Sequence, residues 1–171
     1  MEDVLRDVLD RNKKVLVIAV GIKARSFFEQ DLRENKTHSF NSIDDIVRGR
    51  SNVRILFLDK LQYLYMYLTY VEIELQNNGN TSMCYEEIII YGLESLLMTE
   101  EQLNSEETQE TLDLSISQLR HCNLILHGSL RLENQYAVRI RMVSATGLGM
   151  MSQGWKNLTE YWQYVYSIKD S

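Results

Sequence analysis

Apolar residues along the chain collect in short runs with abrupt edges. "KKVLVIAVG", Lys13 to Gly21, places six of them between two lysines and a glycine, the pattern of a strand buried on both faces. "VRILFLD", Val53 to Asp59, and "EEIIIYGL", Glu86 to Leu93, repeat that pattern. Ahead of the first run, Val4, Leu5, Val8 and Leu9 are spaced for a short amphipathic helix over residues 1–12. Between the first two runs, "IKARSFFEQDL" reads as helical, followed by a polar stretch and the short "SIDDIVRG".

After the third run, "NSEETQETLDLSISQLRHC" predicts a helix capped at Asn104, with Glu107 three residues on as in a capping box and Leu112, Ile116 and Leu119 on one face. "NLILHGSL", Asn123 to Leu130, then reads as a fourth strand, and "QYAVRIRMV" alternates as another. Ser144 to Gly154 is rich in small residues and predicts a mobile loop. In the tail, Trp162, Tyr164, Tyr166 and Ile168 recur at period two and predict a strand, although Trp155, Leu158, Trp162 and Val165 also fit a helix. Strands alternating with helices imply right-handed crossovers. The expected fold class is therefore α/β, a mainly parallel sheet with helices on both faces, as a single domain over residues 1–171.

One stretch raises a separate question. "YLYMYLTY", Tyr63 to Tyr70, lies in a segment from Lys60 to Asn78 without glycine or proline, too long for a strand and suited to a helix. At ~100° per residue, Leu61, Leu64, Leu68, Val71 and Leu75 gather on one side, the face expected to pack on the sheet. Tyr63, Tyr67 and Tyr70 fall together on roughly the opposite side, with Met66 and Ile73 beside them. A helix apolar nearly all round is buried from more than one direction. These five residues are the candidate partner interface, since tyrosine buries a large ring and keeps a hydroxyl for a wet rim. The competing reading is that they cover a neighbouring helix of the same chain.

Composition narrows the function classes. The chain has 171 residues, 44% of them hydrophobic and 25% charged, with no proline, which suits one globular unit and leaves no proline-rich linker. The net charge of −6 disfavours duplex DNA binding by this chain alone, because such binding rests on basic residues that neutralise phosphates. The acidic amino terminus does not suit a signal peptide, and no run approaches the ~18 apolar residues of a membrane span, so a soluble intracellular protein is expected. Cys84 and Cys122 are both expected to be free.

Motifs for chemistry fail when tested by position. Were Gly21 the first glycine of a phosphate loop, Gly, Lys and Ser/Thr should follow where Ser26, Phe27 and Phe28 stand, so no cradle of backbone amides, lysine and magnesium-binding hydroxyl can form. Asp59 ends an apolar run, but that pattern is common and reads as a helix cap. His121, Cys122, His127 and Cys84 match no zinc spacing. No catalytic, cofactor or metal residue is expected. The alternative is a small α/β enzyme or ligand-binding protein with an atypical loop site after Gly21 or Gly92, at the carboxyl ends of strands.

The residues themselves add a resemblance. "VLVIAVGIKARSFFE", "ILFLDKLQYLYMYLTYVE" and "IIIYGLESL", covering about Val15 to Leu96, resemble the family of small RecA-like subunits of the budding-yeast Shu complex. That resemblance implies a degenerate RecA-like core without functional Walker motifs and no enzymatic activity. It also implies a nuclear, four-subunit assembly whose other members are a zinc-containing SWIM-domain protein and a RecA-like, DNA-binding pair. Such a complex helps a recombinase assemble on single-stranded DNA during homologous recombination and error-free damage repair, and this chain would reach DNA only indirectly.

Overall fold

A computed structural model describes residues 1–11, 13–31, 43–78, 85–97, 114–145, 157–158, 160–162 and 164–165. Helix α1 (Glu2–Arg11) leads to β1 (Val15–Val20), α2 (Gly21–Ser26) and a π turn (Phe27–Asp31). Next come α3 (Ile43–Asn52), β2 (Val53–Leu58), α4 (Leu61–Asn78) and β3 (Glu87–Tyr91). A 3₁₀ turn (Leu93–Leu96), α5 (Ile116–Tyr136) and β4 (Arg139–Val143) complete the named elements.

The four strands form one sheet in the order β2-β1-β3-β4, and every pairing is parallel. The protein is thus α/β with a parallel sheet. The runs at Val15, Val53 and Glu87 are all strands, but β2 is an edge strand with Arg54 and Ile55 exposed, not one buried on both faces as its apolar run predicts. All six residues of β1 and all five of β3 are buried, because helices cover both faces of the middle of the sheet. Leu16, Ile18, Val20, Ile88 and Ile90 point into one core with Leu64 and Leu68 of α4 and Ile125 and Leu132 of α5. Val15, Val17, Ala19, Ile89 and Tyr91 point into a second core with Leu5 and Val8 of α1 and Ala24 of α2. An ion-pair chain closes that second side: Arg141 of β4 bonds both to the buried Glu87 (Nε to Oε1, 2.7 Å) and to Asp7 of α1, which also binds Arg11 at 2.7 Å.

Several expectations need correction. Asn123 to Leu130 is not a strand but the middle of α5. Cys122, Ile125, Leu126, Ser129 and Leu132 are its buried positions, a helical spacing that the compact apolar run obscured. Gly128, inside that run, faces Leu68, where an added Cβ would lie 3.9 Å from Leu68 Cβ; it sits where α5 and α4 come close together. The helix begins at Ile116 with a capping box between Ser115 and Gln118, whereas Asn104, Glu107 and Leu112 lie outside the described residues. Ile116 is 73% exposed and does not belong to the buried face.

In the tail, the described residues between Asn157 and Val165 are helical, so the helical spacing prevails over the period-two reading. Trp162 donates from Nε1 to Asn123 Oδ1 at 2.7 Å, and its ring stacks on His127. A strand would need a sheet edge. The tail instead finds the polar groups of α5. Asp59 is exposed and precedes the cap position, since α4 opens with the Lys60 carbonyl accepting from the Tyr63 and Leu64 amides. The loop expected over Ser144 to Gly154 lies outside the described residues except for Ser144 and Ala145.

Candidate interaction surface

The chain passes from β1 to β2 on one side and then crosses back over β1 to β3. That reversal marks the carboxyl ends of β1 and β3 as the usual ligand crevice of an open parallel sheet. Gly21 and Gly92 stand there with φ of +80° and +81°, a region glycine enters without strain. The chain's own atoms fill the space. A Cβ at Gly21 would lie 2.7 Å from Ser95 Cβ, and one at Gly92 would lie 2.8 Å from Ala24 Cβ and 2.9 Å from the Val20 carbonyl oxygen. Phe27, Phe28 and Tyr91 pack edge to face beside them, with ring centroids 5.2 to 6.0 Å apart.

One carboxylate sits in this region. Glu94, 2% exposed, accepts from Ser144 Oγ at 2.8 Å and from the Ala145 amide, fastening the chain after β4 to the 3₁₀ turn. Its role there is structural bonding within the chain.

The ligand-type residues named from sequence do not converge. His121 Nδ1 lies 2.7 Å from the Ser117 carbonyl oxygen, His127 stacks on Trp162, and Cys122 is buried in the core. Among the described residues no three histidine, cysteine or acidic side chains form a metal-binding group. Cys84 lies outside the described residues.

Burial pushes the Cys122 thiol up to about 12, from an ordinary 9.0. The folded chain therefore holds the thiol neutral, and only the unfolded chain ionises it between those values. Its contribution to stability is intact below about pH 9 and lost as pH rises toward 12. In peptide mapping after iodoacetamide treatment at pH 8, Cys122 is expected to stay unmodified in the folded protein and to react in urea. Equal labelling in both conditions would contradict this.

The surface with the largest unexplained apolar content is on α4. Its inner face follows the expected set: Leu61, Leu64, Leu68, Val71 and Leu75 are all buried. Beside them, Glu72 pairs with Arg131 of α5, so one flank is occupied by the neighbouring helix. On the other side of α4, Tyr63, Met66, Tyr70 and Ile73 are 46%, 62%, 45% and 47% exposed.

Tyr67 differs from the other four. It is half-buried against the core, 6.0 Å from the Tyr70 ring, and desolvation, then Tyr85 and Tyr70, raise its hydroxyl pKa while Arg54 lowers it. Two basic residues that the helical pattern did not single out border the surface. Lys60 lies over the Tyr63 ring at 5.5 Å, and Arg54 is an exposed residue of β2, close enough to act on Tyr67. The sequence signal for Arg54 was that it is the one charged residue within the apolar run Val53 to Leu58.

No helix among the described residues is long and apolar enough to cross a membrane. A family described as Suppressor of HU sensitivity involved in recombination protein 1 matches the chain over residues 2–167. Over 88 aligned residues the chain is 38% identical to the protein of that description from Saccharomyces cerevisiae (strain ATCC 204508 / S288c). The aligned part is 51% of this chain and 54% of the yeast protein, so the match spans about half of each.

Proposed function

The chain belongs to the family of Suppressor of HU sensitivity involved in recombination protein 1, and from that premise we propose that it is a non-enzymatic interaction subunit acting in recombination. In this reading it is a nuclear member of a Shu-type complex. It keeps a RecA-like sheet without a nucleotide site and joins a zinc-containing SWIM-domain protein to RecA-like, DNA-binding subunits that promote recombinase assembly on single-stranded DNA.

The observation that carries the proposal is the exposed flank of α4. Tyr63, Met66, Tyr70 and Ile73 present large apolar side chains in successive turns, at a density that marks partner sites on soluble proteins. Two features support it. The crevice where an open sheet usually holds its ligand is packed with Ser95, Ala24 and Phe27, and the aromatic and methionine content of the flank matches the core of protein interfaces.

The test separates surface from core. Met66→Asp and Tyr70→Asp are expected to weaken capture of the partner subunits at least tenfold, about 1.4 kcal/mol, with thermal unfolding unchanged. Tyr67→Asp is expected to lower both capture and stability, because that ring is half-buried. Unaltered capture by the first two variants would refute the interface. Titration with ATP in a calorimeter should give no binding heat, and saturable binding would return the alternative of a ligand site after Gly21 or Gly92.

A further inference from the structure

The exposed residues on the outer flank of α4 are regularly spaced. Tyr63, Met66, Tyr70, Ile73 and Asn77, all exposed, stand three, four, three and four residues apart, which is the a and d spacing of two heptads. At ~100° per residue this seam lies almost opposite the buried Leu64, Leu68 and Val71. A seam with that spacing meets a second helix lying nearly along it, at about 20°. The spacing therefore specifies a helix as the occupant of the flank.

The seam is complementary to itself when one copy is reversed. With Met66 set against Tyr70 of the second copy, Tyr63 falls against Ile73, so each layer pairs a tyrosine ring with a flexible or branched aliphatic side chain. The flanking positions agree. On one flank Lys60, exposed just before the helix, comes beside Glu74 of the second copy, and two-fold symmetry repeats that match at the other end. On the other flank Gln62 comes beside Gln76, and Thr69 comes beside its own copy next to the two-fold axis. Thr69 is small and donates its hydroxyl back to the Tyr65 carbonyl at 3.0 Å, which lets the two backbones approach there.

A parallel pair loses these matches, because Glu74 would lie beside Thr69 and Lys60 would have no counterpart in the second helix. One helix face is small against the ~1,600 Å² of a standard interface. Such a dimer is weak, and it yields to a partner that covers more surface.

Resting on the reading of this flank as an interaction surface, we propose that two copies of the chain lay α4 against α4 in an antiparallel, two-fold register, and that this self-pairing closes the surface until partner subunits displace it.

The experiment is sedimentation velocity on the full chain over a concentration series. A dimer is expected to grow in with concentration, and Met66→Asp should weaken it at least tenfold with unchanged circular dichroism. Lys60→Glu and Glu74→Lys set like charges together twice in each dimer, so each alone should weaken association about fivefold. An equimolar mixture of those two variants should recover it, because each mixed dimer then holds two opposite-charge pairs. A monomeric mass up to about 200 µM would overturn the proposal. So would a dimer that Met66→Asp leaves intact, or a mixture that associates no more tightly than the variants alone. A monomeric chain whose capture of partner subunits still depends on Tyr70 would remove the second copy and leave the reading of the flank as a partner surface standing.

Discussion

Gly92→Val is expected to be among the most damaging substitutions in this protein, at about 4 kcal/mol. Gly92 has φ of +81°, where a β-branched residue is a severe outlier, for a cost of roughly 2 kcal/mol. The new Cβ would also meet Ala24 Cβ at 2.8 Å and the Val20 carbonyl oxygen at 2.9 Å. Overpacking of this kind costs roughly another 2 kcal/mol. For a chain of this size, the melting temperature should fall by on the order of 10 °C. Differential scanning calorimetry provides the measurement.

A second variant separates the two causes. Gly92→Ala combined with Ala24→Gly removes the Cβ-to-Cβ contact and leaves the backbone strain and the contact with the Val20 carbonyl oxygen, so it should recover part of the loss of Gly92→Ala alone. Full stability in Gly92→Val would mean that the carboxyl ends of β1 and β3 are open rather than filled. The proposal that this sheet lacks its usual ligand crevice would then fail as well.

The other large effect is expected at Arg141. Its guanidinium bonds to Glu87, whose side chain is 2% exposed, and reaches Asp7 at 3.4 Å. Arg141→Met would leave Glu87 buried without this partner, a loss of about 3 kcal/mol for a bridge whose arginine is itself partly solvated. It would also release α1 from β4. Glu87→Gln together with Arg141→Met should recover more than half of the loss, since no buried charge is then left uncompensated. Urea unfolding of the two single variants and the double variant completes the cycle. Strictly additive losses would show that the two groups are not coupled.

Much of the fold was legible because burial leaves a local imprint on the residue pattern. β1 and β3 are covered on both faces, and their sequences are continuous apolar runs. The inner face of α4 was readable for the same reason, since Leu61 to Leu75 recur at helical spacing and are all buried. The outward placement of Tyr63, Met66, Tyr70 and Ile73 also followed from that spacing. Tyr67 was grouped with them, but its half-burial depends on how closely Tyr85 and β2 approach, which spacing along one helix does not record.

The errors have the same origin. Asn123 to Leu130 is short and apolar, and a fully buried helix segment and a buried strand look alike at that length. What separates them is α4, whose Leu68 meets Gly128. The tail became helical because Trp162 found Asn123 and His127 on α5.

The sequence by itself determined the class of the protein: the four strands β1 to β4, the long two-faced helix, the lack of a phosphate loop and the likeness to a recombination family. These depend on residue type and spacing within one segment, where covalent order fixes which side chains share a face. Only the tertiary structure decided that the crevice is filled and that Tyr67 is half-buried. Each of those depends on what other elements bring near, and chain-distant neighbours set burial and electrostatics while leaving little trace in the local pattern.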